Sequence, residues 1–157
     1  MLDGLNARPA RAIKSLDCPA SSLSAMHNDM TVFFLGLQFS LHFILEKIAS
    51  IAKPGIACEV LYDIAVEIAK EAGFADKFMG TGQQAKFIGH GIGLEINEAP
   101  VLAPRMKQQL EPGMVFALEP KIVIPGVGPV GIENSWVVTN EGIEKLTNCN
   151  EEIIELS

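Results

Sequence analysis

The sequence predicts an α+β domain, on three observations: two amphipathic helical patterns in its first half, several short strands split by proline and glycine in its second, and no linker between them. At 157 residues one domain is expected, spanning 1–157. Such a chain buries roughly two thirds of its extended surface on folding. Residues 1–25 are rich in Ala, Ser, Arg and Pro and carry little periodicity, so they predict loop and short irregular elements. Asp29 to Leu35 (DMTVFFL) is β-branched and aromatic, and predicts a buried strand opening on Asp29. From Leu41 the period changes. Leu41, Ile44, Leu45, Ile48, Ala49 and Ala52 form a helical stripe that Pro54-Gly55 ends. A second helix is expected over Ala57 to Ala72, with Gly73 as its stop. Strands follow at Met114 to Glu119, Lys121 to Ile124, Pro129 to Thr139 and Ile153 to Leu156.

Composition narrows the function classes. Hydrophobic residues make up 48% and charged residues 20%, a globular balance, and the net charge of −7 argues against nucleic acid as a partner. The most apolar run, Val32 to Leu45, contains Gln38 and His42. As a run of that length it is too short to span a bilayer, so no membrane partner is expected. Cys18, Cys58 and Cys149 are odd in number and widely spaced, which fits a reducing, cytoplasmic setting and no disulfide framework. No secretory signal pattern is visible.

Between the helices and the strands lies Phe87 to Pro100 (FIGHGIGLEINEAP). Gly89, Gly91 and Gly93 allow close backbone approach, and His90 between them is either a satisfied structural histidine or a metal ligand or proton carrier. Strand alternation supplies possible company. Val115, Ala117 and Glu119 share one face of their strand, and Gly131, Glu133, Ser135 and Val137 share one face of theirs. Both glutamates lie among small neighbours. That suits a concave floor holding cations, or else ion pairs at a sheet edge with Lys121 and Lys145. Asp29 is open to a role as cap, turn residue or further ligand. One imidazole with several carboxylates suits Mn, Co, Fe or Zn, and two such ions can share and activate one water. Rossmann, P-loop, GxSxG and HExxH patterns are absent or incomplete.

Three blocks in order, GHGIGLEINEAP, LEPGMVFALEP and GIENSWVVTNEG, resemble the metallopeptidase family of Xaa-Pro peptidases, methionine aminopeptidases and creatinases. The resemblance covers residues 26–157. His90 and Glu119 are 29 positions apart and Glu119 and Glu133 are 14 apart, a short gap that is similar to the Xaa-Pro, prolidase-like branch. The resemblance implies the pita-bread fold, a curved and mostly antiparallel sheet with helices on its outer face. It also implies two divalent metal ions held by Asp17, Asp29, His90, Glu119 and Glu133. Hydrolysis of Xaa-Pro peptides by a hydroxide bridging those ions is the implied chemistry, with His90 anchoring an ion, Glu119 shuttling a proton and Asn97 orienting substrate.

Four departures stand beside it. Pro19 follows Asp17 where the family has glycine, and the spacing there is one residue long. Val32 follows Thr31 in place of arginine. Asn97 replaces a second histidine, and an amide donates a hydrogen bond but does not exchange a proton at neutral pH. Against the family's two pseudo-symmetric halves, the chain starts near the end of the first. An incomplete sheet exposes an edge, so a homodimer or higher oligomer is expected. The alternative function is a catalytically inactive remnant that binds peptides or proteins.

Overall fold

A computed structural model of the chain describes the backbone of residues 23–151 and, in the first helix, side chains from residue 33. Helix α1 spans Leu23–Ile51 and α2 spans Cys58–Glu71. They precede strands β1 (Gly89–Gly91), β2 (Glu98–Leu102), β3 (Val115–Leu118), β4 (Lys121–Ile124), β5 (Gly128–Gly131), β6 (Asn134–Val138) and β7 (Ile143–Lys145). Five strands form an antiparallel sheet in the order β2-β1-β3-β6-β7, and β4 and β5 form a separate hairpin.

Leu41, Ile44, Leu45, Ile48 and Ala52 are buried in the core as the periodicity calls for, Ala49 is half-buried against it, and Leu37 extends the stripe one turn earlier. The strand expected over Asp29 to Leu35 is instead part of α1. Aromatic and β-branched residues favour a strand only where a pleated partner receives them, and α1 runs through Gly36 without a break. The length argument against a membrane span changes with it. Phe33–Ile51 is 19 residues long and apolar enough, by length and composition, to cross a bilayer. In this structure one face of that helix packs into the core, while Leu35, Phe39 and Phe43 remain exposed on another. Two polar residues of the run, Gln38 and His42, turn to Glu151. Gln38 Nε2 donates to its carbonyl at 3.1 Å, and His42 Nδ1 lies 3.4 Å from its carboxylate.

Gly55 turns the chain between the helices with φ at +88°. No side chain caps α2. Its first free amides find the 103–110 loop instead, Cys58 N–H donating to Gln108 O and Glu59 N–H to Met106 O, each at 2.9 Å. Gly73, with φ at +82°, ends α2. Cys58, Leu61, Ala65 and Ala69 form its buried edge, whereas Val60 is 40% exposed.

The sheet meets the helices through Phe116, Leu118, Trp136 and Val138, which join the α1 and α2 residues in one core. Asn134 shares their face and is the buried polar residue among them. It is satisfied by Glu151, to which Nδ2 donates at 2.7 Å, and by Thr147 Oγ1, which donates to Oδ1 at 2.5 Å. The stretch expected as one strand from Pro129 to Thr139 divides at Ile132 and Glu133 into β5 and β6, which belong to different sheets. Ile143–Lys145 adds an edge strand, and the strand expected at Ile153 to Leu156 lies outside the described residues.

Candidate functional site

The site is assembled on the sheet face opposite the helices. His90 is the middle residue of β1 and pairs with Val101 on β2 and Ala117 on β3. Its flanking glycines are required by packing. A Cβ at Gly89 would strike the carbonyl oxygen of Ala117, and one at Gly91 would lie 2.5 Å from the carbonyl carbon of Ala99. Glycine thus lets both neighbouring strands close on the histidine. Gly93 serves a different neighbour, since a Cβ there would lie 2.6 Å from the carboxyl carbon of Glu98.

Glu119 follows β3 directly and continues its ladder, its N–H donating to Ile88 O at 2.8 Å. Two positions beyond Ala117, it returns to the face that carries His90. The two side chains meet there, with His90 Nε2 3.7 Å from Glu119 Oε1, each side chain 13% exposed. His90 Nδ1 is 3.1 Å from Gly91 O. A carbonyl only accepts, so this contact places a proton on Nδ1, and in the neutral tautomer Nε2 is left as the ring's free lone pair on the side of the carboxylate. The other carboxylate oxygen, Oε2, accepts from Lys121 Nζ at 2.6 Å.

A cleft of about 370 Å³ opens beside His90, lined by Phe87, Asn97, Glu98 and Val101 as well. Phe87 stands edge-on to the imidazole, ring centroids 6.3 Å apart. Two apolar side chains, an amide and a carboxylate surround one imidazole there. Asn97 is exposed at its rim.

The structure therefore brings His90, Glu119 and Asn97 to one region. Extending the β3–β6 register one step past Leu118 and Asn134 sets Glu133 across from Glu119. Glu133 is nevertheless exposed, at the point where the chain leaves β5 for β6. Asp29 lies in α1, with its side chain outside the described residues, and Asp17 also lies outside them. Among the described residues no group of three His, Cys, Asp or Glu side chains is placed to hold a metal ion. His90 Nε2 and Glu119 Oε1 do fit one edge of such a site. Two ligands about 2.1 Å from an ion in tetrahedral array stand roughly 3.4 Å apart, close to the 3.7 Å observed. The described donors that meet at this point are these two.

Sequence reasoning left two partners open for the glutamates. Lys121 does pair with Glu119, whereas Lys145 pairs with Glu151 and not with Glu133. Phe87, Glu98 and Val101 were not singled out. Their signal was positional: Phe87 lies three residues before His90, and Val101 faces it across the strand pair.

The description of metallopeptidase family M24 matches residues 40–140. The chain belongs to that family. It is 38% identical over 109 residues to an Xaa-Pro dipeptidase of Pyrococcus furiosus, an alignment covering 69% of this chain and 30% of that protein. Among solved structures it is similar to an Xaa-Pro dipeptidase from Bacillus anthracis, at TM-score 0.68 and 36% identity, covering 78% of this chain and 33% of that one. It is also similar to the prolidase from Pyrococcus furiosus, at TM-score 0.66 and 35% identity, covering 73% and 32%. These neighbours have the pita-bread fold, and the M24 chain described here matches a portion of it. It spans about 30% of the length of the Xaa-Pro dipeptidase it matches.

Proposed function

We propose that this M24 chain carries the cleft and part of the cation site of a metallopeptidase of the Xaa-Pro type, acting on short peptides with proline in second position. The observation that supports it best is the pairing of an Nδ1-protonated His90 with Glu119 beside a cleft of dipeptide scale. Relatives named as Xaa-Pro dipeptidases support the substrate class.

When bound, two divalent cations of the Mn, Co, Fe or Zn type would supply Lewis-acid activation of the attacking water. His90 Nε2 and Glu119 Oε1 would be ligands from the described residues, joined by Glu133 through a side-chain rotation; Asp29, carried by α1 on the other side of the sheet, leaves that set. Glu119 is also the proton carrier of the reaction, and Asn97 donates a hydrogen bond that orients the peptide carbonyl. Phe87 and Val101 supply apolar surface for the substrate's side chain or ring.

The test is hydrolysis of an alanyl-proline dipeptide by the purified chain supplied with Mn or Co, followed by chromatography of the released amino acids. His90→Ala is expected to lower the rate at least 100-fold, on the order of what one acid-base or ligand group contributes. A His90→Ala protein as active as the wild type would sink the reading.

One observation favours a second reading, that of an inactive peptide-binding remnant: Lys121 holds the carboxylate that the reaction needs. Peptide retention in equilibrium dialysis, with no hydrolysis at any cation concentration, is its expected signature. A homodimer or higher oligomer in a cytoplasmic setting is proposed under either reading. It is supported by the exposed Leu35, Phe39 and Phe43 stripe and the free Cys58 and Cys149. Light scattering that returned a monomer, or recovery from a secreted fraction, would count against it.

A further inference from the structure

We infer that Lys121 is an internal cation that occupies Glu119 in competition with metal, so that the divalent affinity of this site is set by a residue of the chain itself. The inference rests on the metal-site reading above and concerns its regulation.

The two oxygens of Glu119 are used differently. Oε1 faces His90 Nε2 at 3.7 Å with no hydrogen bond between them, while Oε2 accepts from Lys121 Nζ at 2.6 Å. When the imidazole is neutral, its Nε2 and the carboxylate oxygen both offer lone pairs, an arrangement that a positive charge stabilises. The fixed charge beside them is the Lys121 ammonium. It neutralises the carboxylate and would repel a divalent ion brought against the same group.

The position of Lys121 is built into the fold. Its carbonyl accepts from Met79 N–H at 2.8 Å, and its own N–H lies 3.4 Å from Met79 Sδ. Across the β4–β5 hairpin its partner is Gly131. A Cβ at that glycine would come within 2.8 Å of Lys121 Cβ, so only glycine leaves the lysine stem its course. With the backbone held on one strand and room made on the next, the side chain is directed at Glu119. Its 37% exposure leaves it free to swing away when a stronger cation arrives. The site would then fill only above a threshold cation concentration, which the lysine raises.

The experiment is a titration of the whole chain with Co2+, read by its visible ligand-field absorption and by metal content after gel filtration. Lys121→Met keeps the aliphatic stem and removes the charge. It is expected to bind Co2+ roughly 10- to 100-fold more tightly than wild type, the scale on which groups bonded to a ligand tune affinity. Lys121→Arg keeps the charge and is expected to stay near wild type. His90→Ala added to Lys121→Met should abolish the gain, which places it at this site. Lys121→Gln serves as the neutral variant should circular dichroism show the methionine protein unfolded.

Equal affinity in wild type and both neutral variants would overturn the inference, as would tight binding by wild type. A gain that survives His90→Ala would overturn it too. The peptidase reading fails separately. If Lys121→Met gains metal yet no variant cleaves an Xaa-Pro dipeptide, competition by Lys121 stands and hydrolysis falls.

Discussion

Replacing Gly91 with alanine tests whether the backbone around His90 is held by close strand contact. The added Cβ would lie 2.5 Å from the carbonyl carbon of Ala99 and 2.9 Å from the carbonyl oxygen of Glu98. Carbon atoms in contact normally stand about 3.5–4.0 Å apart, so β2 must retreat by roughly 1 Å. The obstacles are backbone atoms of a paired strand, which no rotamer change removes. Overpacking of this kind costs about 1–3 kcal/mol, and the upper end is expected because the β1–β2 ladder already changes register between His90 and Gly91. For a chain of this size each kcal/mol lowers Tm by roughly 2–4 °C, so a fall of about 6–12 °C is expected. Urea unfolding followed by the fluorescence of Trp136, the single tryptophan, gives the free energy directly. Gly142→Ala is the control, since its Cβ would meet nothing nearer than 3.7 Å; it should stay within about 0.5 kcal/mol of wild type. A Gly91→Ala protein as stable as that control would refute the argument that packing dictates this glycine.

Gly36 lies inside α1 with nothing within 4 Å of an added Cβ, so Gly36→Ala should stabilise the protein by about 0.5–1 kcal/mol; a loss of stability in urea would dispute the helix there. Burial raises the pKa of Glu151, but hydrogen bonds from Lys145 and Asn134, with the charges of Lys145 and His42, outweigh it and hold the carboxyl below its ordinary 4.5. A lowered folded pKa gives stability that is complete above that ordinary value and is lost as pH falls through the folded one. The stability gap between wild type and Glu151→Gln should therefore shrink in acid, and a gap that is constant from neutral pH to well below the carboxylate range would contradict it. Cys58 is buried, and its burial raises the thiol pKa, while Cys149 is exposed. Peptide mapping after brief iodoacetamide treatment should find Cys149 alkylated and Cys58 protected until denaturant is added.

The parts of the fold that were legible are those where one periodicity had no rival. Leu41 to Ala52 and Leu61 to Ala69 carry helical stripes ended by Gly55 and Gly73, and they fold as read. Thr31 to Phe34 carries a local preference for strand that lost to the continuity of α1, because preference alone does not supply a neighbouring strand. Pro129 to Thr139 reads as one alternation, yet Ile132 and Glu133 carry the chain from a hairpin into another sheet. No residue type marks that passage except the glycine before it. Ile143–Lys145 is three residues at a sheet edge, too short to show a period. The glycines around His90 were legible as close-approach positions, whereas which strand each admits needed the register. Lys121 was visible as a possible partner of Glu119. That it takes one carboxylate oxygen while His90 faces the other depends on where β3 ends and β4 begins.

The two faces of the central sheet divide the work of this chain. Phe116, Leu118, Asn134, Trp136 and Val138 point toward α1 and α2, and the core and the buried amide of Asn134 are there. His90, Ala117 and Ser135 stand in register on the opposite face, and Glu119 joins them as the chain turns into β4. Side chains on that second face contribute little to the core, so His90→Ala or Lys121→Met should leave folding nearly intact. The glycines between them behave in the opposite way, because Gly89 and Gly91 touch backbone on both neighbouring strands. A loss of metal or peptide binding at unchanged stability therefore indicts the chemistry of the cleft, whereas losing both together indicts the scaffold. That separation comes from strand alternation itself, and it is what allows Lys121 to be tested as a cation and not merely as a structural residue.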